Sequence, residues 1–332
     1  MKKLLWALAI MLFLLLVADL AGAIYLLDFA LKPKRTATAN RLDQYRQSNP
    51  KLAPWIDSVR AAGAWHDTTI DIDGRKLHAA YITAPAPTNR VAMLVHGYND
   101  DGIAMLNVGH LYSSVMGYHI IFPDLHAHGQ SEGDYIQMGW KDRLDVMRWM
   151  DVANDLFKGD SAMTQMVVHG VSMGAATVMA VAGETQKPYV KCYVEDCGYT
   201  SVYDEFRHEL TDTALLPTPF PLPEFPLLPT ASAWAKIRLG WSFKEASMIE
   251  AVKRCTLPML FIHGDQDDFV PSWMAHTLYA AKPNPKEIYI GKGSGHARTL
   301  LDHQAEYASR VQDFTSKHIK NEQKSATSIK NR

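Results

Sequence analysis

The sequence predicts an α/β protein, a mostly parallel eight-stranded sheet with helices on both faces, preceded by one membrane-spanning helix. Three observations lead there. Short apolar runs alternate with helix-length segments from Trp65 onward, the pattern of strands joined by crossover helices. Two of the runs are joined by Asp73-Gly74, a two-residue hairpin signal, so the sheet opens on an antiparallel pair. Residues 4–17 carry no charged or strongly polar side chain. Composition narrows the field further: 34 Lys+Arg against 35 Asp+Glu give a net charge of −1 over 332 residues, with 47% hydrophobic. Those values exclude a disordered chain and a nucleic-acid binder driven by bulk positive charge. Three cysteines exclude a disulfide framework.

The amino-terminal element follows Lys2 and Lys3, and its apolar character resumes after Asp19 through Leu27. Residues 1–31 are long enough to cross a bilayer, and one Asp near an end reaches the interface. A cleaved secretory signal competes, because Ala21-Gly22-Ala23 has the A-x-A form. Cleavage there would leave Ile24-Tyr25-Leu26-Leu27 as an exposed apolar terminus, which favours an uncleaved anchor. Lys2 and Lys3 face Lys32, Lys34 and Arg35 across the span, so the positive-inside balance is nearly even. The expectation is a single-pass protein of the cell membrane with an extracytoplasmic domain, tethered by the polar stretch 32–50 within a juxtamembrane linker or helix at 32–64.

Strands are expected at 68–72, 77–83, 91–95, 119–122, 166–169, 190–194, 259–262 and 287–290. Helices are expected at 103–116, 140–157, 173–184, 273–281 and 300–318. Together these define one domain over 65–319, with a polar tail at 320–332. One segment breaks the alternation. Prolines 217, 219, 221, 223, 226 and 229 are interleaved with Phe220, Leu222, Phe225, Leu227 and Leu228. Proline at this density continues neither a helix nor a central strand, and the intervening side chains are too greasy for a linker. The reading is an apolar lid within an insertion at about 203–247.

The chemistry concentrates at three strand ends. Val167-Val168-His169-Gly170-Val171-Ser172-Met173-Gly174 reads strand, tight turn, helix, and the turn is G-x-S-x-G. A serine on so sharp a bend needs small flanking residues, and the bend turns its hydroxyl outward with the Met173 N–H at the helix start. His96-Gly97-Tyr98 follows the strand at 91–95, where the Tyr98 N–H is the candidate second oxyanion donor. Asp265, Asp267 and Asp268 follow the strand at 259–262, and His296 follows the last strand within Gly293-Ser294-Gly295-His296.

Ser, then Asp, then His is the chain order of an α/β-hydrolase triad. From about Trp65 to His318 the chain resembles the α/β-hydrolase superfamily. Asp124-Leu125-His126-Ala127-His128-Gly129-Gln130-Ser131 is similar to that family's D-x-R-G-x-G-x-S loop, with His126 in place of the arginine and Ala127 in place of the first glycine. In detail the chain looks like membrane-anchored bacterial cell-surface hydrolases, near the Bem46-like group and the prolyl-oligopeptidase carboxyl domains. The resemblance implies Ser172 as nucleophile, His296 as base, and a carboxylate behind His296. The family's spacing from Gly264 lands on Asp267, with Asp268 as the alternative and Asp265 as a loop cap.

Other candidates carry less. His126-x-His128 lacks the continuation of a metallo-hydrolase, so no metal and no cofactor are expected. Cys192, Cys197 and Cys255 read as buried small hydrophobes. Tyr98, Trp234, Trp241 and Phe243 are pocket-lining candidates. Glu195 and Asp196, at a strand end, either read a cationic substrate group or cap a loop. The expected reaction is hydrolysis of a carboxylic ester or thioester with an apolar acyl part. A prolyl-oligopeptidase-like peptidase is the nearest alternative, and a catalytically silent surface-binding module is the other. No nucleic-acid partner is expected, and membrane contact rests on the amino-terminal span.

Overall fold

A computed structural model describes residues 1–34, 40–211, 216, 218 and 220–320. Pro217, Pro219, Arg35 and all but the first residue of the expected polar tail lie outside the described residues. All eight strand runs form strands: β1 (Trp65–Ile72), β2 (Arg75–Ile82), β3 (Arg90–Val95), β4 (His119–Pro123), β5 (Gln165–Val171), β6 (Val190–Asp196), β7 (Met259–Gly264) and β8 (Lys286–Gly291). Their order across the sheet is β1-β2-β4-β3-β5-β6-β7-β8. The sheet is mixed. β1 pairs antiparallel with β2 through the Asp73-Gly74 turn, β2 pairs antiparallel with β4, and every later pairing is parallel.

Strand periodicity sorts the core into two layers, because successive side chains point to opposite faces. Val91, Met93, Val95, Met166, Val168, Met259 and Phe261 face one cluster, whereas Ala92, Leu94, Val167, Leu260 and Ile262 face the other. The first layer is closed by α5 (Asp142–Phe157), α6 (Met173–Ala182), α9 (Met248–Arg254) and α10 (Trp273–Ala281); the second by α4 (Leu106–His110) and α12 (Gln304–His318). The expected helix at 103–116 is broken into a 3-10 turn, α4 and a π-helical turn. That at 300–318 is split into α11 (Thr299–Asp302) and α12.

The segment 40–64 is not a free tether. It holds α2 (Arg41–Ser48) and α3 (Ala53–Ala61), with Ile56 fully buried and Arg41 bridging Asp100 at 2.6 Å and Asp101 at 2.8 Å. The proline-rich stretch departs from expectation as well. α7 (Val202–Glu209) precedes it, and α8 (Leu227–Leu239) begins inside it. Pro229 falls in the first turn of α8, where no intrahelical N–H is needed, so the ring is tolerated.

The amino-terminal helix α1 (Lys2–Leu31) has two parts. Side chains 2–18 are all exposed, whereas Asp19, Gly22, Ala23, Leu26, Leu27, Ala30 and Leu31 form an i, i+3/i+4 stripe that is half-buried or buried. That stripe packs against α8. Thr230 Oγ1 donates to Asp19 at 2.6 Å, Tyr135 donates to Asp28 at 2.9 Å, and the Ile136 N–H donates to the Leu31 carbonyl at 2.8 Å.

Candidate active site

The turn between β5 and α6 explains both of its glycines. A Cβ on Gly170 would lie 2.1 Å from the Gly174 carbonyl oxygen, and one on Gly174 would lie 2.0 Å from that of Val95. Between them Ser172 adopts φ 57°, ψ −122°, a conformation side chains rarely take. The bend lifts the Ser172 hydroxyl off the strand end toward His296, whose Nε2 lies 2.8 Å from Oγ. His296 Nδ1 lies 2.8 Å from Asp267 Oδ2. Serine, imidazole and carboxylate therefore form one continuous line across the carboxyl ends of β5, β7 and β8, where open α/β sheets place their sites.

Of the three acids after β7, Asp267 is buried and reaches His296. Asp268 is exposed, and its backbone carbonyl accepts from His208 Nε2 at 2.7 Å. Asp265 accepts from the Gly293 N–H at 2.6 Å, tying the histidine loop to β7. Burial alone would raise the Asp267 carboxyl, but bonds from His263 and His296 outweigh it and hold the group down to about 2. His263 was not legible as a participant. Its Nε2 lies 3.3 Å from Asp267 Oδ2 and donates to the Val270 carbonyl at 2.7 Å, so the carboxylate sits between two imidazoles. Its place next to Gly264 in the Gly264-x-x-Asp267 turn is the only signal the sequence offers.

Met173 is the first residue of α6, so its N–H is among the amides a helix leaves without an internal partner. Gly97 approaches the serine closely, since a Cβ there would stand 3.4 Å from Ser172 Cβ, and this brings Tyr98 to the same mouth. The Tyr98 hydroxyl donates to the Ala30 carbonyl of α1. The loop 124–131 braces this region. Asp124 accepts from the Gly102 and Gln130 N–H groups, and Ala127 takes φ 65° where the family's pattern has glycine. His126 accepts from Arg75 at 2.6 Å, and His128 Nε2 accepts from the Asn99 N–H at 3.2 Å, so both rings serve as neutral braces. Burial, with Arg75 beside it, lowers His126 to about 4; burial lowers His128 to about 3.

Two cavities meet at Ser172. One, about 290 Å³, lies on the His296 side and is bordered by Asp100, Asn107 and Leu301. The other, about 200 Å³, is apolar and runs under α7 and α8; it is walled by Leu26, Leu27 and Ala30 of α1 and by Phe206, Leu228 and Phe243. Tyr98 and Phe269 border both. Of the other expected lining aromatics, Trp241 is buried with its indole N–H on Gln137, and Trp234 packs against the core. Glu205 and Glu209 on α7 also line the apolar cavity. Burial, then Glu209, pushes the Glu205 carboxyl well above the carboxylate range, so it stands there as a neutral acid.

Glu195 does not line the site, whereas Asp196 borders the cavity on the His296 side. Both are fully or nearly fully buried; Glu195 caps the following turn through the Gly198 N–H, and Asp196 accepts from Tyr307. Cys197 lies beside Asp267 and His296, ligand atoms within 4.8 Å, and burial followed by Asp196 pushes its thiol up, so it stays protonated. All three cysteines are buried.

Fold and strand-end geometry define an α/β hydrolase. The prolyl oligopeptidase family model matches residues 111–322, and the chain belongs to that family of serine hydrolases. It is 28% identical over 235 residues to the uncharacterized protein YqkD of Bacillus subtilis (strain 168), covering 70% of this chain and 73% of the relative. Among solved structures, the Pyrococcus furiosus esterase Pf2001 is similar at TM-score 0.60 and 22% identity, over 76% of this chain and 92% of that one. The Pyrococcus horikoshii acylaminoacyl peptidase is similar at TM-score 0.56 and 17% identity, over 76% of this chain but 41% of that one.

Proposed function

We propose that the protein hydrolyses carboxylic esters, or thioesters, whose acyl part is apolar. The observation that carries this reading is the Ser172–His296–Asp267 line, 2.8 Å at each step, opening on an apolar cavity. Ser172 Oγ attacks the acyl carbonyl as His296 Nε2 takes its proton. The oxyanion is held by the Met173 and Tyr98 N–H groups, and Asp267 stabilises the imidazolium. Collapse expels the alcohol or thiol with the proton from His296, and water then repeats the sequence to release the acid and free Ser172. The acyl part fits the apolar cavity, and the leaving group fits the more polar space on the His296 side. α1 anchors the protein in the cell membrane, with the catalytic domain outside the cytoplasm.

Family membership favours a second reading, cleavage of amides as in a peptidase. Turnover of p-nitrophenyl butyrate against aminoacyl-proline nitroanilides separates the two. Ser172→Ala is expected to abolish both ester turnover and fluorophosphonate labelling while leaving the melting temperature in place; labelling that persists would reassign the nucleophile.

A further inference from the structure

We propose that the apolar cavity takes its substrate from the bilayer that holds α1: a membrane-resident ester of a long acyl chain, admitted beside α1 at headgroup depth. The proposal rests on the ester-hydrolase reading and names its substrate class. The first observation is that the membrane helix is itself cavity wall, through Leu26, Leu27 and Ala30.

The second is a shortfall in length. Only residues 4–18 of α1 are both apolar and free of the catalytic domain. Fifteen residues at 1.5 Å each span about 22 Å, against a hydrocarbon core of about 30 Å. The missing 8 Å or so corresponds to about five more residues, 19–23, and tilting the helix only enlarges the deficit. Of those residues, Asp19, Gly22 and Ala23 are docked on the catalytic domain. A Cβ on Gly22 would touch Leu227 Cδ1 at 3.4 Å, and Asp19 is held by Thr230. To complete the span, the start of α8 must therefore sink to the edge of the hydrocarbon. Leu26 to Ala30 then lie in the headgroup layer, about 5 to 10 Å beyond residue 23.

The third observation is what the lid presents there. Phe225 and Phe220, in the stretch leading into the start of α8, are 79% and 57% exposed, although the adjoining cavity is apolar. Two exposed phenylalanines on a lid are a liability in water and an anchor in an interface. Asp19, the acidic residue within this depth, keeps a hydroxyl partner, as an ionisable group at a membrane requires. An acyl chain lying alongside α1 enters the cavity between α1 and α8 without crossing water, and its carbonyl arrives at Ser172.

The experiment uses the full chain in phosphatidylcholine vesicles containing 4-methylumbelliferyl oleate, with soluble p-nitrophenyl butyrate and fluorophosphonate labelling run in parallel. Phe220→Asp/Phe225→Asp is expected to slow hydrolysis of the vesicle-borne oleate at least tenfold, leaving butyrate turnover and labelling unchanged; neither residue borders the cavity. An unchanged oleate rate, or equal losses on both esters, would overturn the proposal. Wild-type protein that is labelled and cleaves butyrate but ignores the vesicle ester would overturn it alone. Failure of labelling and of all ester turnover would bring down the hydrolase reading and this proposal together.

Discussion

Two truncations divide α1 where its burial changes, and they are expected to behave differently. Removing residues 1–18 deletes only exposed side chains, so in detergent the melting temperature should stay within about 2 °C of the full chain. Removing residues 1–31 also deletes Leu27 and Leu31, 2% and 0% exposed, with the Asp28–Tyr135 and Leu31–Ile136 hydrogen bonds. Burial of two leucines contributes about 3–6 kcal/mol, and the two hydrogen bonds about 1–3 kcal/mol. The unfolded chain already hides part of that surface, so about 3 kcal/mol is the lower figure. At about 2–4 °C per kcal/mol for a domain of this size, the longer deletion should melt at least about 6 °C below the shorter one. It also strips one wall from the apolar cavity, so KM for p-nitrophenyl butyrate should rise. Differential scanning fluorimetry and ester kinetics on the same preparations provide both readouts. If the two truncations melt together, the docked stripe on α8 contributes nothing, and the reasoning about α1 fails.

Asp267→Asn should leave the fold intact and lower kcat by about 10³- to 10⁴-fold, whereas Asp268→Asn, at an exposed site, should change kcat less than twofold or so. Gly174→Ala brings a methyl to 2.0 Å from the Val95 oxygen, so the Ser172 turn must shift; ester turnover should fall about 100-fold with a lower melting temperature. A pH series of melting temperatures should show two limbs. His126, His128 and His169 are held neutral, at about 4, 3 and 3 against an ordinary 6.5; the stability this brings is complete above pH 6.5 and lost as pH falls through those values. Burial opposes the charge on His78, but Asp124 and Asp67 lift it to about 9; its contribution is complete below pH 6.5 and lost as pH rises through 9, a limb that His78→Gln should flatten.

The sheet was readable because each strand carries its own signal. The β3, β5 and β7 runs are short, apolar and bounded by turn residues, and Asp73-Gly74 marks the hairpin by itself. Ser172 was readable because the strained turn imposes glycine on both sides of it, a steric demand that sequence records directly. Roles that arise only from tertiary approach left almost no trace. His263 meets Asp267 because the turn after β7 brings a residue four positions on back to it, and Glu205 becomes a neutral acid only once α7 closes over the cavity. The proline-rich segment misled in a definite way: density of proline argues against a helix interior, yet Pro229 occupies a first turn, where its missing N–H has no consequence.

The docking of α1 was hidden for a more general reason. A helix apolar on every side has no hydrophobic periodicity, so the face that packs on protein cannot be told from the face that meets lipid. Its polar residues carry the information instead. Asp19 and Asp28 stand nine positions apart, two and a half turns, so they point to opposite sides of the helix and one partner cannot receive both. They are met by different partners, Asp19 within the buried stripe by Thr230 of α8 and Asp28 outside it by Tyr135. Asp19 is thus better read as the point where the helix first meets protein than as an interruption of a membrane span. Under the membrane anchorage proposed above, the span proper would end short of the hydrocarbon boundary, and the same residue that marks the end of the free helix would mark the depth to which the lid descends.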